Sequence, residues 1–133
     1  GTLLPGMYVR GKILVNELAP RPHNSGHFSI EACSSSQFQQ HIRSIFNLKL
    51  GETAHVGTAI MLNLVGENGY QGKVNYQNLG YVFNSKNANL HLYGKEYTRP
   101  NRKMGHVTII CDKFEDAYQT AKFIKESVKV KSK

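Results

Sequence analysis

The stretch RPHNSGH, residues 21–27, holds an arginine, two histidines, an asparagine and a serine within seven positions. Asn16 and Glu17 precede it, directly after the apolar run Ile13, Leu14 and Val15. On a strand, Glu17 shares parity with Ile13 and Val15, so its carboxylate points where those side chains point. A carboxylate aimed that way needs a cation, a metal or a set of donors. The residues after it supply groups for anions. Arg21 brings a planar fork of donors, His23 and His27 exchangeable protons, Asn24 an amide and Ser25 a hydroxyl. One carboxylate for a metal beside several donors for an oxyanion suits phosphoryl or carboxyl transfer.

Two other readings of the same residues stay open at this point. His23 and His27 have the spacing of half a zinc site. Yet Pro20 and Pro22 exclude a helix that would put both rings on one face, and no third ligand stands at a natural spacing. The stretch also reads as purely structural, with Arg21 and His27 tying a loop to a sheet. A second cationic group lies at 95–103, where Lys95, Arg99, Arg102 and Lys103 surround Pro100 with Glu96 as the sole acid. Converging cations on a turn fit a dianionic phosphate, while the alternative is a solvated hairpin turn.

The elements that would position these groups follow from periodicity. Strands are expected at 7–10 and 13–18 around a short basic turn at Gly11, with the second strand covered on both faces because its apolar residues are consecutive. A loop at 19–28 follows, then a helix over 33–47 with a serine cap from Ser34 to Ser36 and one buried stripe of Phe38, Ile42, Ile45 and Phe46. A connection at 51–57 marks a boundary. Further strands are expected at 58–65, 90–93 and 106–111. The Gly- and Asn-rich segment 66–89 is long for a connection and is expected to hide a short strand or helix. A final helix over 113–128 has a D-x-x-E start at Asp112 and Glu115. Its expected buried stripe is Phe114, Ala117, Tyr118, Ala121, Ile124 and Val128. The lysines of the tail, Lys122, Lys125, Lys129, Lys131 and Lys133, read as a solvated face and its frayed end.

Composition bounds the function classes. The 133 residues are 40% apolar and carry a net charge of +8, enough for a packed core and an anionic partner. No apolar run approaches the roughly 18–20 residues of a membrane span. Cys33 and Cys111 are isolated and fit free thiols in a reducing, cytoplasmic compartment. Gly1 in place of a methionine, inside an apolar run that includes Leu3, Leu4 and Met7, is expected for a piece of a longer protein. The +8 charge, with Tyr93, Tyr97, Arg99 and Arg102 at neighbouring positions, also raises a nucleic-acid-binding module, or a non-catalytic interaction module, as alternatives. No RRM or KH signature accompanies them.

Three ordered blocks carry a resemblance: VNELAPRPHNSGHFSIEACSSSQFQQHIRSI, AIMLNLVGE and LHLYGKEYTRPNRKMGHVTI. Together they resemble the C-terminal half of the 5-(carboxyamino)imidazole ribonucleotide synthases, members of the ATP-grasp superfamily. The resemblance implies an α+β architecture. Residues 1–50 would be the end of an ATP-grasp catalytic domain, and 55–133 a small β-rich C-terminal domain, barrel- or sandwich-hybrid-like, closed by a helix. It implies an ATP-dependent ligase that activates bicarbonate as carboxyphosphate and carboxylates aminoimidazole ribonucleotide, with ATP and Mg2+ as cofactors, and a homodimer.

By the same resemblance Asn16 and Glu17 contact ATP, and Glu17 holds the metal. Arg21 and His23 are catalytic, Asn24, Ser25 and His27 support them, and Lys95, Arg102 and Lys103 bind the ribonucleotide phosphate. The basic turn is expected to fold back so that it faces the 21–27 loop. One position departs from the pattern. Gly6 stands where the family carries a second metal carboxylate, and residues 1–16 contain no Asp or Glu. The adenine pocket and the phosphate lid would lie before residue 1, so the 133 residues alone are expected not to turn over ATP.

Overall fold

The structure, a computed structural model, describes residues 6–133. Leu3 and Leu4, which open the apolar run, lie outside the described residues. The chain is α+β and divides between Val56 and Gly57 into two compact units.

In the first unit, strands β1 (Gly6–Val9) and β2 (Lys12–Val15) form an antiparallel hairpin with Gly6 opposite Val15 and Val9 opposite Lys12. Arg10 and Gly11 turn it with φ of +46° and +80°, the double positive φ that a two-residue hairpin loop demands. The expectation that β2 is covered on both faces fails. Ile13 is 81% and Val15 70% exposed, because the described hairpin has no third strand and no layer on either face. The strand also stops at Val15, so Asn16 and Glu17 leave the sheet and strand parity no longer aims the carboxylate.

The expected helix over 33–47 is shorter, α2 (Gln37–Ile45), and a separate short helix, α1 (Ser29–Ala32), precedes it. Cys33 is extended and bridges His55, which breaks the run. Ser36 then restarts it with a capping box. Its hydroxyl accepts from Gln39 N–H at 3.2 Å, and the Gln39 side chain accepts from Ser36 N–H at 2.7 Å. Past the Phe46 cap, Asn47 takes φ +52° and Leu48 N–H donates to the Arg43 carbonyl at 2.8 Å, a Schellman motif built on asparagine. The stripe of Phe38, Ile42, Ile45 and Phe46 is amphipathic as expected, but all four side chains are exposed among the described residues.

The second unit carries two three-stranded sheets. β3 (Thr58–Val65), β7 (Lys103–Cys111) and β5 (Ala88–Leu92) form one, with β7 central and antiparallel to both. β6 (Tyr97–Thr98), β4 (Gly72–Gln77) and β8 (Lys129–Ser132) form the other, with β4 central. The segment 66–89 thus hides both a strand, β4, and a short helix, α3 (Gly80–Phe83).

Helix α4 (Phe114–Ser127) buries Ala117, Ala121 and Ile124 against Leu64, Met104, Val107 and Ile109. Two details of that helix differ from expectation. Its N-cap is Lys113, without a side-chain cap, so Asp112 and Glu115 form no capping box. Phe114 and Tyr118 are exposed and stack on each other at 5.9 Å instead of joining the core. The tail is not frayed. Val130 is buried opposite Tyr76, and the alternation of Lys129, Val130 and Lys131 suits a half-buried strand.

Candidate functional site

In the first unit the polar loop is organised around a residue that composition and spacing did not single out. Gln37 is the first residue of α2 and is buried. Its Oε1 accepts from His23 N–H at 2.9 Å. Its Nε2 donates to the His23 carbonyl at 2.9 Å and to His27 Nδ1 at 2.7 Å. The His23 N–H needs an acceptor, which fixes the amide orientation, so both amide protons point at acceptors. Gln37 N–H donates to Ser29 Oγ at 2.9 Å, and that hydroxyl in turn donates to the Gly26 carbonyl. Gly26 has no side chain because a Cβ there would come within 2.5 Å of Gln37 Oε1.

This clamp positions His23. Ser25 N–H donates to His23 Nδ1 at 3.3 Å, and Ser25 Oγ lies 3.1 Å from the same nitrogen. A neutral ring accepting at Nδ1 carries its proton on Nε2, which faces Glu17 Oε1 at 3.5 Å. On this side His23 is therefore a proton donor held beside a carboxylate. His27 accepts at Nδ1 and stacks on Phe38 at 5.6 Å. Asn24 opens the 3₁₀ turn Asn24–Gly26, and its carbonyl accepts from His27 N–H at 3.1 Å.

Arg21 is exposed and lines a cleft of about 240 Å³ with Pro22, Phe28, Cys33, Gln37 and His41. Burial raises the Cys33 thiol pKa above its ordinary value. The structure thus brings Glu17, His23 and Ser25 together, places His27 one glutamine away, and leaves Asn16 exposed after β2.

Magnesium asks for several oxygens in near-octahedral array. Among the described residues no three His, Cys, Asp or Glu side chains cluster, and Gly6 sits in β1 where a second carboxylate was expected. Glu17 offers one carboxylate. These residues by themselves do not make a metal centre.

The cationic group of the second unit is equally ordered. Arg99, Pro100, Asn101 and Arg102 form a turn in which Arg102 N–H donates to the Arg99 carbonyl at 3.1 Å. Proline at the second position and φ of +63° at Asn101 are the requirements of a type II turn. The turn is pinned to Gly66, whose carbonyl accepts from Asn101 N–H and whose N–H donates to the Arg102 carbonyl, both at 2.9 Å. A Cβ on Gly66 would overlap the Arg99 carbonyl oxygen, so only glycine fits there. Lys95 Nζ donates to the Lys103 carbonyl at 2.6 Å, and Arg102 Nη1 to the Tyr97 carbonyl at 2.8 Å. Lys103 itself is exposed at the start of β7. Lys95, Arg102 and Lys103 are thereby gathered at one corner of this unit.

A hairpin leading into a clamped Arg/His loop, followed by a β-rich unit with a cationic corner, is similar to the distal part of ATP-grasp proteins. The comparisons agree. The ATP-grasp domain model matches residues 7–38, and the phosphoribosylaminoimidazole carboxylase C-terminal domain model matches 59–120. The crystal structure of N5-carboxyaminoimidazole ribonucleotide synthetase from Thermotoga maritima superposes with a TM-score of 0.88 at 52% identity, covering 93% of this chain and 34% of that one. The N5-carboxyaminoimidazole synthase from Aspergillus clavatus, solved with ADP and 5-aminoimidazole ribonucleotide, has a TM-score of 0.72 at 32% identity over 87% of this chain and 31% of that one. The phosphoribosylaminoimidazole carboxylase of Schizosaccharomyces pombe is 44% identical over 129 residues, 87% of this chain and 22% of that protein.

The chain resembles the C-terminal part of the N5-carboxyaminoimidazole ribonucleotide synthases. It spans about a fifth to a quarter of the length of the curated relatives it matches. Among the described residues no helix is long and apolar enough to cross a membrane.

Proposed function

We propose that the chain supplies the distal half of an ATP-dependent ligase that carboxylates aminoimidazole ribonucleotide with bicarbonate, by way of carboxyphosphate. The observation that carries this reading is the Gln37 clamp. It holds the backbone of His23 and the ring of His27 in one fixed arrangement beside Glu17, and a loop ordered to that degree is a prepared site. Arg21 and His23 then hold the bicarbonate-derived group and the reacting amine, with Asn24, Ser25 and His27 as supporting donors. Asn16 and Glu17 contact ATP, and Glu17 gives Mg2+ one carboxylate ligand while the nucleotide phosphates supply others. Lys95, Arg102 and Lys103 take the ribonucleotide phosphate.

The adenine pocket and lid belong to the part of the enzyme preceding these residues, which is the partner the chain requires. The working form is a homodimer in a reducing cytoplasm, in keeping with the free thiols of Cys33 and Cys111. ADP release in the presence of bicarbonate and aminoimidazole ribonucleotide tests the proposal. The 133 residues alone should give no sustained turnover. The same residues joined to the preceding half should turn over, and loss of that activity on Arg21→Ala is the expected result. A joined enzyme indifferent to Arg21→Ala defeats the reading.

A further inference from the structure

Tyr93 follows β5 and stands two residues before Lys95, across Gly94 with φ of +71°. The ammonium of Lys95 lies 5.6 Å from the centroid of the Tyr93 ring, within the range of a cation–π contact. The ring itself is held at both ends. Tyr93 N–H donates to the Met104 carbonyl at 3.0 Å, and its hydroxyl bonds His106 Nδ1 at 2.9 Å. His106 is buried in β7 and stacks on its cross-strand partner His91, centroids 4.5 Å apart and planes within 16°. Burial also raises the Tyr93 hydroxyl pKa, so the group stays protonated across the physiological range.

A lysine stem is flexible, and ordering it on binding costs entropy that a prepared surface removes in advance. Here the ring face and the Lys103 carbonyl hold the ammonium from two sides. The carbonyl engages one of its three protons and leaves the others for an incoming oxyanion.

We propose that Tyr93, tethered to His106, is a positioning residue that aims the Lys95 ammonium at the phosphate of the ribonucleotide. This rests on the reading of Lys95 as a phosphate ligand, and the experiment separates the two. The 133-residue chain, labelled with ¹³C at the lysine ε-carbon, is studied by NMR and titrated with ribose 5-phosphate by calorimetry. Without ligand, the Lys95 ε-methylene should be shifted upfield by the ring current. Tyr93→Leu should return it to the position of the other lysines.

Lys95→Ala should weaken ribose 5-phosphate by about tenfold, and Tyr93→Leu by about threefold. The double variant should bind no worse than Lys95→Ala alone, because the ring acts only through the lysine. Tyr93→Phe keeps the ring and drops the tether, and should fall between wild type and Tyr93→Leu in both readouts. Full additivity in the double variant, or a Tyr93→Phe chain indistinguishable from Tyr93→Leu, overturns the proposal. An unchanged affinity on Lys95→Ala removes the phosphate reading beneath it, whatever the ring-current shift shows.

Discussion

Gln37 and His27, ten residues apart, share a 2.7 Å hydrogen bond from the amide Nε2 to the imidazole Nδ1. The same amide closes a two-point bond with the backbone of His23. One buried side chain on the first turn of a helix thus sets the conformation of the loop that carries the candidate chemistry.

Removing that amide should loosen the loop before it unfolds the chain. Gln37→Leu leaves the His23 N–H and carbonyl without their partner, a cost of roughly 1–3 kcal/mol. Gly26→Ala should cost a similar amount, since the pinned amide has no room to retreat from a Cβ at 2.5 Å. Thermal melts give both values, and hydrogen exchange should locate the loss of protection at 21–29. A Gln37→Leu chain with wild-type melting and exchange would contradict the clamp.

In the enzyme assembled with the preceding half, Arg21→Ala or His23→Ala should lower the carboxylation rate by well over tenfold, more than about 1.4 kcal/mol of barrier. The measurement is kcat/KM for aminoimidazole ribonucleotide at saturating ATP and bicarbonate. Asn24→Ala should have a smaller effect, because it supports the loop.

Gly66 anchors the basic turn through two 2.9 Å hydrogen bonds, and any Cβ there meets backbone. Gly66→Ala should therefore displace the 99–102 turn and weaken ribose 5-phosphate binding severalfold, an effect that calorimetry reads directly. Backbone cannot rotate away as a side chain can, so no compensating rotamer is expected.

Burial raises the Cys33 thiol pKa, so at a given mildly alkaline pH it holds less thiolate than free cysteine. Its reaction with a disulfide reagent near about pH 8 should be slower than that of free cysteine and should accelerate as pH rises toward the folded-state pKa. Cys33→Ser should remove the reactive phase and leave the buried Cys111. A Cys33 as fast as the free amino acid would contradict this assignment.

Ile124 is fully buried on α4 against the β7 face. Ile124→Ala should destabilise the chain by about 2–5 kcal/mol, seen as a lower urea midpoint. Phe114→Ala, on the same helix but 60% exposed, should cost far less.

The features legible in the sequence were those made by neighbours. A serine run before a periodic stretch produced the Ser36 cap. Pro100 carried the turn in its own φ preference, and the stretch HVTIIC at 106–111 announced a strand. Local sterics and hydrogen bonds decide such features, so a window of a few residues suffices. Tertiary structure decided the rest. Gln37 is an ordinary helix-start glutamine until the loop closes over it, and Gly66 is one glycine among twelve until Arg99 packs against it. Whether an apolar stripe is buried depends on what lies opposite. Ala117 and Ile124 found a sheet, whereas Ile13 and Ile45 face no layer among the described residues. Lys129, Val130 and Lys131 became a strand only because β4 offered an unpaired edge. Periodicity encodes which side of an element is apolar, while contact between distant segments determines what covers it.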